Sequence, residues 1–231
     1  MPLAVITGAS RGLGAALAHA LDVRGWDLVV DARDAVALEA AVGDRTLAVP
    51  GDVTDPAHRS WLVATAAEHG GAALLVNNAS TLGASPQPGL ADLDDAVLAD
   101  VLTTNVLAAH ALTRDLLPQL LTNNGCVINI SSDAALEPYA GWGAYGASKA
   151  ALDHLTRVLA TEQPTLRVYA VDPGDMRTQM QQDAFPDEDI SDRPEPAAVV
   201  PRLLSLLDGS LPSGRYRATD LSTDRLEGSR V

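Results

Sequence analysis

Tyr145 and Lys149 stand four positions apart in the run Tyr145-Gly146-Ala147-Ser148-Lys149. On a helix that spacing puts both side chains on one face, one turn from each other. An ammonium beside a phenol stabilises phenolate and lowers a pKa that starts near ~10, which gives a tyrosine able to pass a proton near neutral pH. Such a pair is also a common surface arrangement. Here, however, the 16 basic residues comprise 15 arginines and Lys149 alone, and arginine's delocalised, planar charge replaces an ammonium poorly. A serine pair, Ser131-Ser132, ends the apolar run just before the helix. Together these features favour proton-transfer chemistry over a surface pairing.

A second cluster reads Thr7-Gly8-Ala9-Ser10-Arg11-Gly12-Leu13-Gly14, directly after an apolar run and before the helix formers Ala15-Ala16-Leu17. Glycines there permit a tight turn and a close backbone approach to a pyrophosphate, whose charge a helix N-terminus favours. The spacing is G-x-x-x-G-x-G, not the commoner G-x-G-x-x-G. A plain structural turn is the alternative, and the place of this turn on the first strand–helix unit favours the cofactor reading. The second strand ends Val30-Asp31-Ala32-Arg33-Asp34. An acid at that point would grip a ribose 2′-hydroxyl and select NAD, whereas an arginine would accommodate the 2′-phosphate of NADP. Both types are present. Asp52, after the third strand, either accepts from an adenine amino group or caps the helix that begins at Pro56, a role open also to Thr54 and Asp55.

These residues need a scaffold that gathers strand ends. Strand patterns fall at Leu3–Thr7, Asp27–Asp31, Thr46–Pro50, Ala73–Asn77, Cys126–Ile130, Arg167–Val171 and, weakly, Arg215–Ala218. Helical patterns fall near Gly12–Arg24, Ala35–Val42, Pro56–Glu68, Ala96–Leu121, Ala144–Thr161 and Ala197–Leu207. Several strands are almost wholly apolar, as strands covered on both faces are. Strict alternation predicts right-handed crossovers and one α/β domain: a doubly wound, Rossmann-type parallel sheet of about seven strands with helices on both faces. Ligands bind beyond the carboxyl ends of such strands, where the clusters above lie.

Composition narrows the class. The chain has 231 residues, 47% hydrophobic and 20% charged, with 30 acidic against 16 basic residues for a net charge of −14. That surface repels phosphate backbones and argues against nucleic-acid binding. The longest apolar runs fall short of a bilayer span, no signal peptide is evident, and a cytoplasmic protein is expected. Cys126 has no second cysteine to pair with and reads as a core residue. The five histidines are scattered, so no metal site is expected.

The ordered set TGASRGLG at Thr7–Gly14, Asp52-Val53, NNA at Asn77–Ala79, Asn105, Ser132, YGASK at Tyr145–Lys149 and DPGDMRT at Asp172–Thr178 resembles the short-chain dehydrogenase/reductase family over nearly the whole chain. The resemblance implies an enzyme interconverting a carbonyl and a secondary alcohol by hydride transfer with a nicotinamide dinucleotide. By position, Tyr145 would be the general acid or base, and Lys149 would tune it and hold the nicotinamide ribose. Ser132 would bond the substrate oxygen, and Asn105 would support a water-linked relay from Lys149. Gly8, Ser10, Arg11, Gly12, Leu13 and Gly14 would form the pyrophosphate turn, with Asp52, Val53 and Asn78 along the cofactor. Pro173, Gly174, Met176 and Thr178 would meet the nicotinamide. Arg11 and Arg33 fall where NADP-preferring members carry basic residues, and Asp31 should point to the other face of its strand. The resemblance therefore favours NADP(H), with NAD(H) possible.

The chain departs from the family pattern at Ser80, which replaces the glycine of NNAG, and at Asp133 and Asp175, where apolar residues are usual. If these carboxylates face the cleft they favour a polar or cationic substrate. The run from Ser213 lacks the family's closing Asp-Gly-Gly and leaves the packing of the last strand open. The segment 179–196 is expected to be a substrate-binding loop, with Met180 and Phe185 as apolar anchors. Tyr139 and Trp142 are candidates to wall the pocket. By analogy with the family a homodimer or homotetramer is expected. Two other functions compete: a catalytically silent dinucleotide-binding regulator and a structural oligomerisation module.

Overall fold

Along each strand, successive side chains leave on opposite faces, so an apolar strand needs cover on both sides. Leu3 and Val5 of the first strand enter one core, and Ala4 and Ile6 the other. The computed structural model describes residues 1–43, 45–208 and 211–222. Its elements are β1 (Leu3–Ile6), α1 (Gly12–Val23), β2 (Asp27–Ala32), α2 (Ala35–Ala40), β3 (Thr46–Pro50), α3 (Pro56–Glu68) and β4 (Ala72–Asn77). There follow α4 (Asp95–Leu102), α5 (Ala109–Thr122), β5 (Cys126–Ile130), α6 (Gly143–Glu162), β6 (Arg167–Asp172), α7 (Gln179–Ala184), α8 (Pro196–Leu204) and β7 (Gly214–Arg217). The seven strands form one sheet in the order β3-β2-β1-β4-β5-β6-β7, parallel throughout. The strand order reverses beside β1 and β4, and in such sheets this is the crevice that takes the ligand.

Leu13, Leu17 and Leu21 of α1 and Val200 and Leu203 of α8 cover one face. Leu62 of α3 and Leu112, Leu116 and Leu120 of α5 cover the other. A buried polar ladder fastens two helices to the sheet centre. Asn77 donates to Asn129 (2.7 Å) and Thr113 on α5 (3.0 Å), and Asn129 donates to Thr156 on α6 (2.8 Å). Buried amides must be paired, so this ladder leaves α5 and α6 little freedom to slide.

The structure adds to or departs from the sequence expectations in four places. The helix expected over Ala96–Leu121 carries a π-helical turn at Thr103–Ala108, between α4 and α5. Such turns concentrate at functional sites, and this one contains Asn105. The whole run Asp95–Thr122 is long and, on average, apolar enough to cross a bilayer by length and composition, although polar residues interrupt its apolar runs; its buried side packs on β4 and α3. The final strand does pack, with β7 pairing parallel to β6 from Tyr169↔Gly214 to Asp172↔Arg217. Backbone pairing does not need the missing Asp-Gly-Gly. Finally, the segment expected to be a loop opens with α7, whose Thr178 N-cap accepts from the Gln181 N–H at 3.2 Å.

Candidate active site

The glycine turn is held from three sides. Asn78 Nδ2 donates to the carbonyls of Thr7 (2.9 Å) and Gly8 (3.0 Å). Thr7 Oγ1 accepts from the N–H groups of Asn78 and Ala79, both at 3.0 Å. Asp31 is buried beneath the turn, where Oδ1 accepts from the Gly8 N–H (2.9 Å) and Oδ2 meets His58 Nε2 (3.1 Å). Burial raises its carboxyl above the usual range, against the bonds from His58 and Gly8. Asp31 thus supports the turn from beneath, at the floor of the cleft. Gly8 and Gly12 hold φ of 67° and 58°, values costly for any residue with a Cβ. Gly14 serves differently from expectation: it does not line the cleft. A Cβ there would stand 2.4 Å from the Gly8 carbonyl oxygen and 2.6 Å from Asn78 Nδ2, so it lets α1 approach the turn.

From this turn a cleft of about 1370 Å³ runs over the carboxyl ends of the strands, larger than the ~300–1,000 Å³ of ordinary small-molecule sites. At one end lie Arg11 and Arg33, both exposed, and among the described residues neither guanidinium is held in a hydrogen bond or ion pair. Asp52 faces the same end, but its Oδ1 accepts from Thr54 N (2.8 Å) and Oγ1 (2.7 Å). The cap of α3 is Asp55. Ser10, Leu13, Val53, Asn78, Pro173, Gly174, Met176 and Thr178 also line the cleft.

The other end holds the expected catalytic residues. Tyr145 and Lys149 are buried one turn apart on α6, and Ser132 caps the short turn after β5. Lys149 Nζ donates to the Ile130 carbonyl (2.8 Å) and stands 5.3 Å from the centroid of the Tyr145 ring. Burial pulls its ammonium down to about 8, opposed by the charge of Asp153. The tyrosine shifts opposite to expectation. Burial pushes the phenol above its usual range, with the Ser80 and Ser132 hydroxyls opposing and Asp172 and Asp133 adding to the rise. Desolvation of the phenolate outweighs the hydroxyls around it, so the group stands protonated at neutral pH.

Asn105 does not reach the cleft. Its Oδ1 accepts from the Thr81 N–H (2.9 Å), and its Nδ2 donates to the Thr81 carbonyl (2.9 Å) and Ser148 Oγ (3.0 Å). The π turn thereby clamps the loop after β4 to α6. Its side-chain amide is engaged by that clamp.

Asp133 and Asp175 both line the cleft. Asp133 accepts from Ser132 Oγ (3.0 Å) and the Tyr139 hydroxyl (2.8 Å), while Asp175 pairs with Arg193 (3.6 Å). Trp142 also lines the cleft, in edge contact with Tyr145 at 5.6 Å between centroids. On α7, Met180 and Ala184 pack against the cluster containing Tyr145, and Phe185 reaches Trp142. Two residues near the site escaped the sequence reading, Asp153 and Arg215. Asp153 was readable, four positions after the one lysine and on its helical face. No local pattern marked Arg215.

A family model for short chain dehydrogenase matches residues 2–189. The chain belongs to the short-chain dehydrogenase family. An uncharacterized oxidoreductase of Saccharomyces cerevisiae is 32% identical over 222 residues, 92% of this chain and 87% of the relative. A Shigella flexneri 2a chain solved in complex with NADP superposes with a TM-score of 0.87 at 29% identity, covering 94% of this chain and 97% of that one. An Escherichia coli CFT073 chain in complex with NADPH gives the same score and identity over 94% and 96%. This short-chain dehydrogenase is accordingly an oxidoreductase with a single seven-stranded Rossmann-type domain. The residues present fit a nicotinamide dinucleotide: a glycine cradle a Cβ would fill, two guanidinium groups without a hydrogen bond or ion pair among the described residues, and a cleft of about 1370 Å³.

Proposed function

We propose that this short-chain dehydrogenase is an NADP(H)-dependent reductase that interconverts a carbonyl and a secondary alcohol. The observation that carries this reading is one continuous cleft with Arg11 and Arg33 at one end and Tyr145, Ser132 and Lys149 at the other. A nicotinamide dinucleotide bound there supplies the hydride, and the chain supplies orientation and proton handling. Gly8, Ser10, Gly12 and Leu13 would hold the pyrophosphate, and Arg11 and Arg33 a 2′-phosphate. Pro173, Gly174, Met176 and Thr178 would wall the nicotinamide. Ser132 Oγ orients the substrate oxygen. Tyr145, protonated at neutral pH, is ready to donate to that oxygen, which favours reduction, and Lys149 places a positive charge beside the developing tyrosinate. The NADP and NADPH complexes of the two structural relatives support the cofactor assignment.

Segment 179–196 is the substrate-facing cover of this site. Its Met180, Ala184 and Phe185 lie over Tyr145 and Trp142. Ser85 Oγ donating to the Asp183 carbonyl (2.6 Å) ties it to the loop after β4. Exposed apolar side chains on the central helices, Leu107 beside α5 and Leu155 and Val158 on α6, support pairing of two copies through these helices. The test is oxidation of NADPH and of NADH by the purified chain across ketones, aldehydes, dicarbonyls and quinones, with Tyr145→Phe in parallel. Turnover with NADPH that falls at least ~10²-fold in the variant supports the proton-donor role. Turnover unchanged in the variant, or no binding of either nucleotide, overturns the reading. Tight NADPH binding without turnover on any carbonyl would favour the regulatory alternative.

A further inference from the structure

Arg215 is the second residue of β7, and its side chain reaches back to Asp153 and Ser132. Its Nε donates to Asp153 Oδ2 (2.8 Å), and its Nη2 donates to the Ser132 carbonyl (2.9 Å) and lies 3.6 Å from Asp172 Oδ2. The three side chains are 18%, 6% and 7% exposed for Arg215, Asp153 and Asp172. Each partner belongs to a different part of the site. Ser132 follows β5, Asp153 sits one turn beyond Lys149 on α6, and Asp172 ends β6, where its Oδ1 accepts from the Gly174 N–H (3.0 Å). Asp153 Oδ1 is buried without a hydrogen-bond partner among the described residues. Its charge therefore acts on Arg215 directly and on Lys149 through space.

We propose that Arg215 is a positioning residue for proton transfer: its planar fork holds Ser132 against the catalytic helix and, by sharing Asp153 with Lys149, sets how strongly that lysine keeps its charge. The kinetic part of this claim rests on the reductase reading above; the electrostatic part does not. A guanidinium suits the task because it donates in two directions within one plane, which an ammonium cannot do. The charged and titratable groups around the cluster are Tyr145, Lys149 and Asp153 on α6, Asp133 after β5, Asp172 on β6, and Arg215 and Arg217 on β7. Of these, Asp153 is the one whose charge acts on Lys149.

Because Lys149 is the only lysine in the chain, protein grown on lysine labelled with carbon-13 at the ε position gives one side-chain resonance, whose titration needs neither substrate nor turnover. The variants are Arg215→Met, Arg215→Lys and Asp153→Asn. In Arg215→Met, Asp153 is left with Lys149 as its main counter-charge, and the lysine titration moves up by about one unit. In Asp153→Asn, which is isosteric, it moves down. Arg215→Lys keeps a charge but not the fork and adds a second labelled lysine, so it is read by kinetics alone: kcat falls about tenfold with NADPH affinity within threefold. Should Arg215→Met not fold, the other two variants still decide. A lysine titration unmoved in both Arg215→Met and Asp153→Asn, or unchanged kcat in Arg215→Lys, overturns the proposal and leaves Arg215 a structural ion pair. The Tyr145→Phe comparison separates this failure from failure of the reductase reading, since it tests turnover with Arg215 intact.

Discussion

Gly14→Ala isolates the contact that sets α1 against the cofactor turn. The added Cβ would lie 2.4 Å from the Gly8 carbonyl oxygen and 2.6 Å from Asn78 Nδ2. Bringing the first contact out to 3.4 Å, where ordinary van der Waals contact begins, requires a shift of about 1.0 Å (3.4 − 2.4). The obstacle is backbone on one side and an amide with two hydrogen bonds on the other, so the movement must displace Gly8 itself. Alanine gains about 1 kcal/mol of helix propensity over glycine, and overpacking costs about 1–3 kcal/mol. The global stability change is therefore small, a net loss of roughly 0–2 kcal/mol. Cofactor binding suffers more, because a shift approaching 1 Å misplaces backbone donors whose hydrogen bonds to a charged group contribute about 1.5–3 kcal/mol. NADPH affinity should fall at least ~10-fold. Gly25→Ala is the control: its φ is +82° with nothing within 4 Å of a Cβ, so it costs about 1–2 kcal/mol of stability and no affinity. The assay pairs urea denaturation with fluorescence titration of NADPH. Gly14→Ala binding NADPH within twofold of the unmodified chain would refute the argument.

Other expectations concern charge. Arg33→Ala removes a guanidinium at the 2′-phosphate end and should weaken NADPH about 10–100-fold while leaving NADH within twofold; equal loss for both nucleotides would contradict the assignment. Asp31→Ala takes the acceptor from the Gly8 N–H and strands His58, a loss of roughly 3 kcal/mol measurable by urea denaturation; a change under about 1 kcal/mol would mean the pair is not coupled to the fold. The pH responses of activity and stability should oppose each other above neutrality. Lys149 is held down from 10.5 to about 8, so reductase activity that needs its ammonium is full below pH 8 and declines above it. Over pH 8–9 the unfolded chain binds the proton the folded chain has shed, so stability rises with pH by up to ~1 kcal/mol. Higher still, Cys126 and the buried tyrosines, all raised by burial, reverse the trend. Activity and stability falling together across pH 8–9 would refute the lysine assignment.

Much of this molecule is legible along the chain because its determinants are local. Almost continuous apolar strands followed by helix starts specify a parallel sheet, and the glycine turn and the tyrosine–lysine spacing mark its two functional ends without any tertiary information. Strand limits at β3 and β5 and the bounds of α3 are set by Pro50, Pro56 and the flanking polar runs, and they match the sequence reading residue for residue. What remained hidden depends on distance through space. Asn105 is marked by its place in the order, but only the packed chain shows its amide bonded to Thr81 and Ser148. The tyrosine's environment was misjudged for the same reason. Spacing reports a neighbouring ammonium, whereas desolvation depends on every element that closes over the ring, α7 and Trp142 among them. Arg215 lies 83 residues from Ser132 and 62 from Asp153. Those contacts exist because parallel strands bring their carboxyl ends to one edge of the sheet, a consequence of topology that a one-dimensional pattern does not carry.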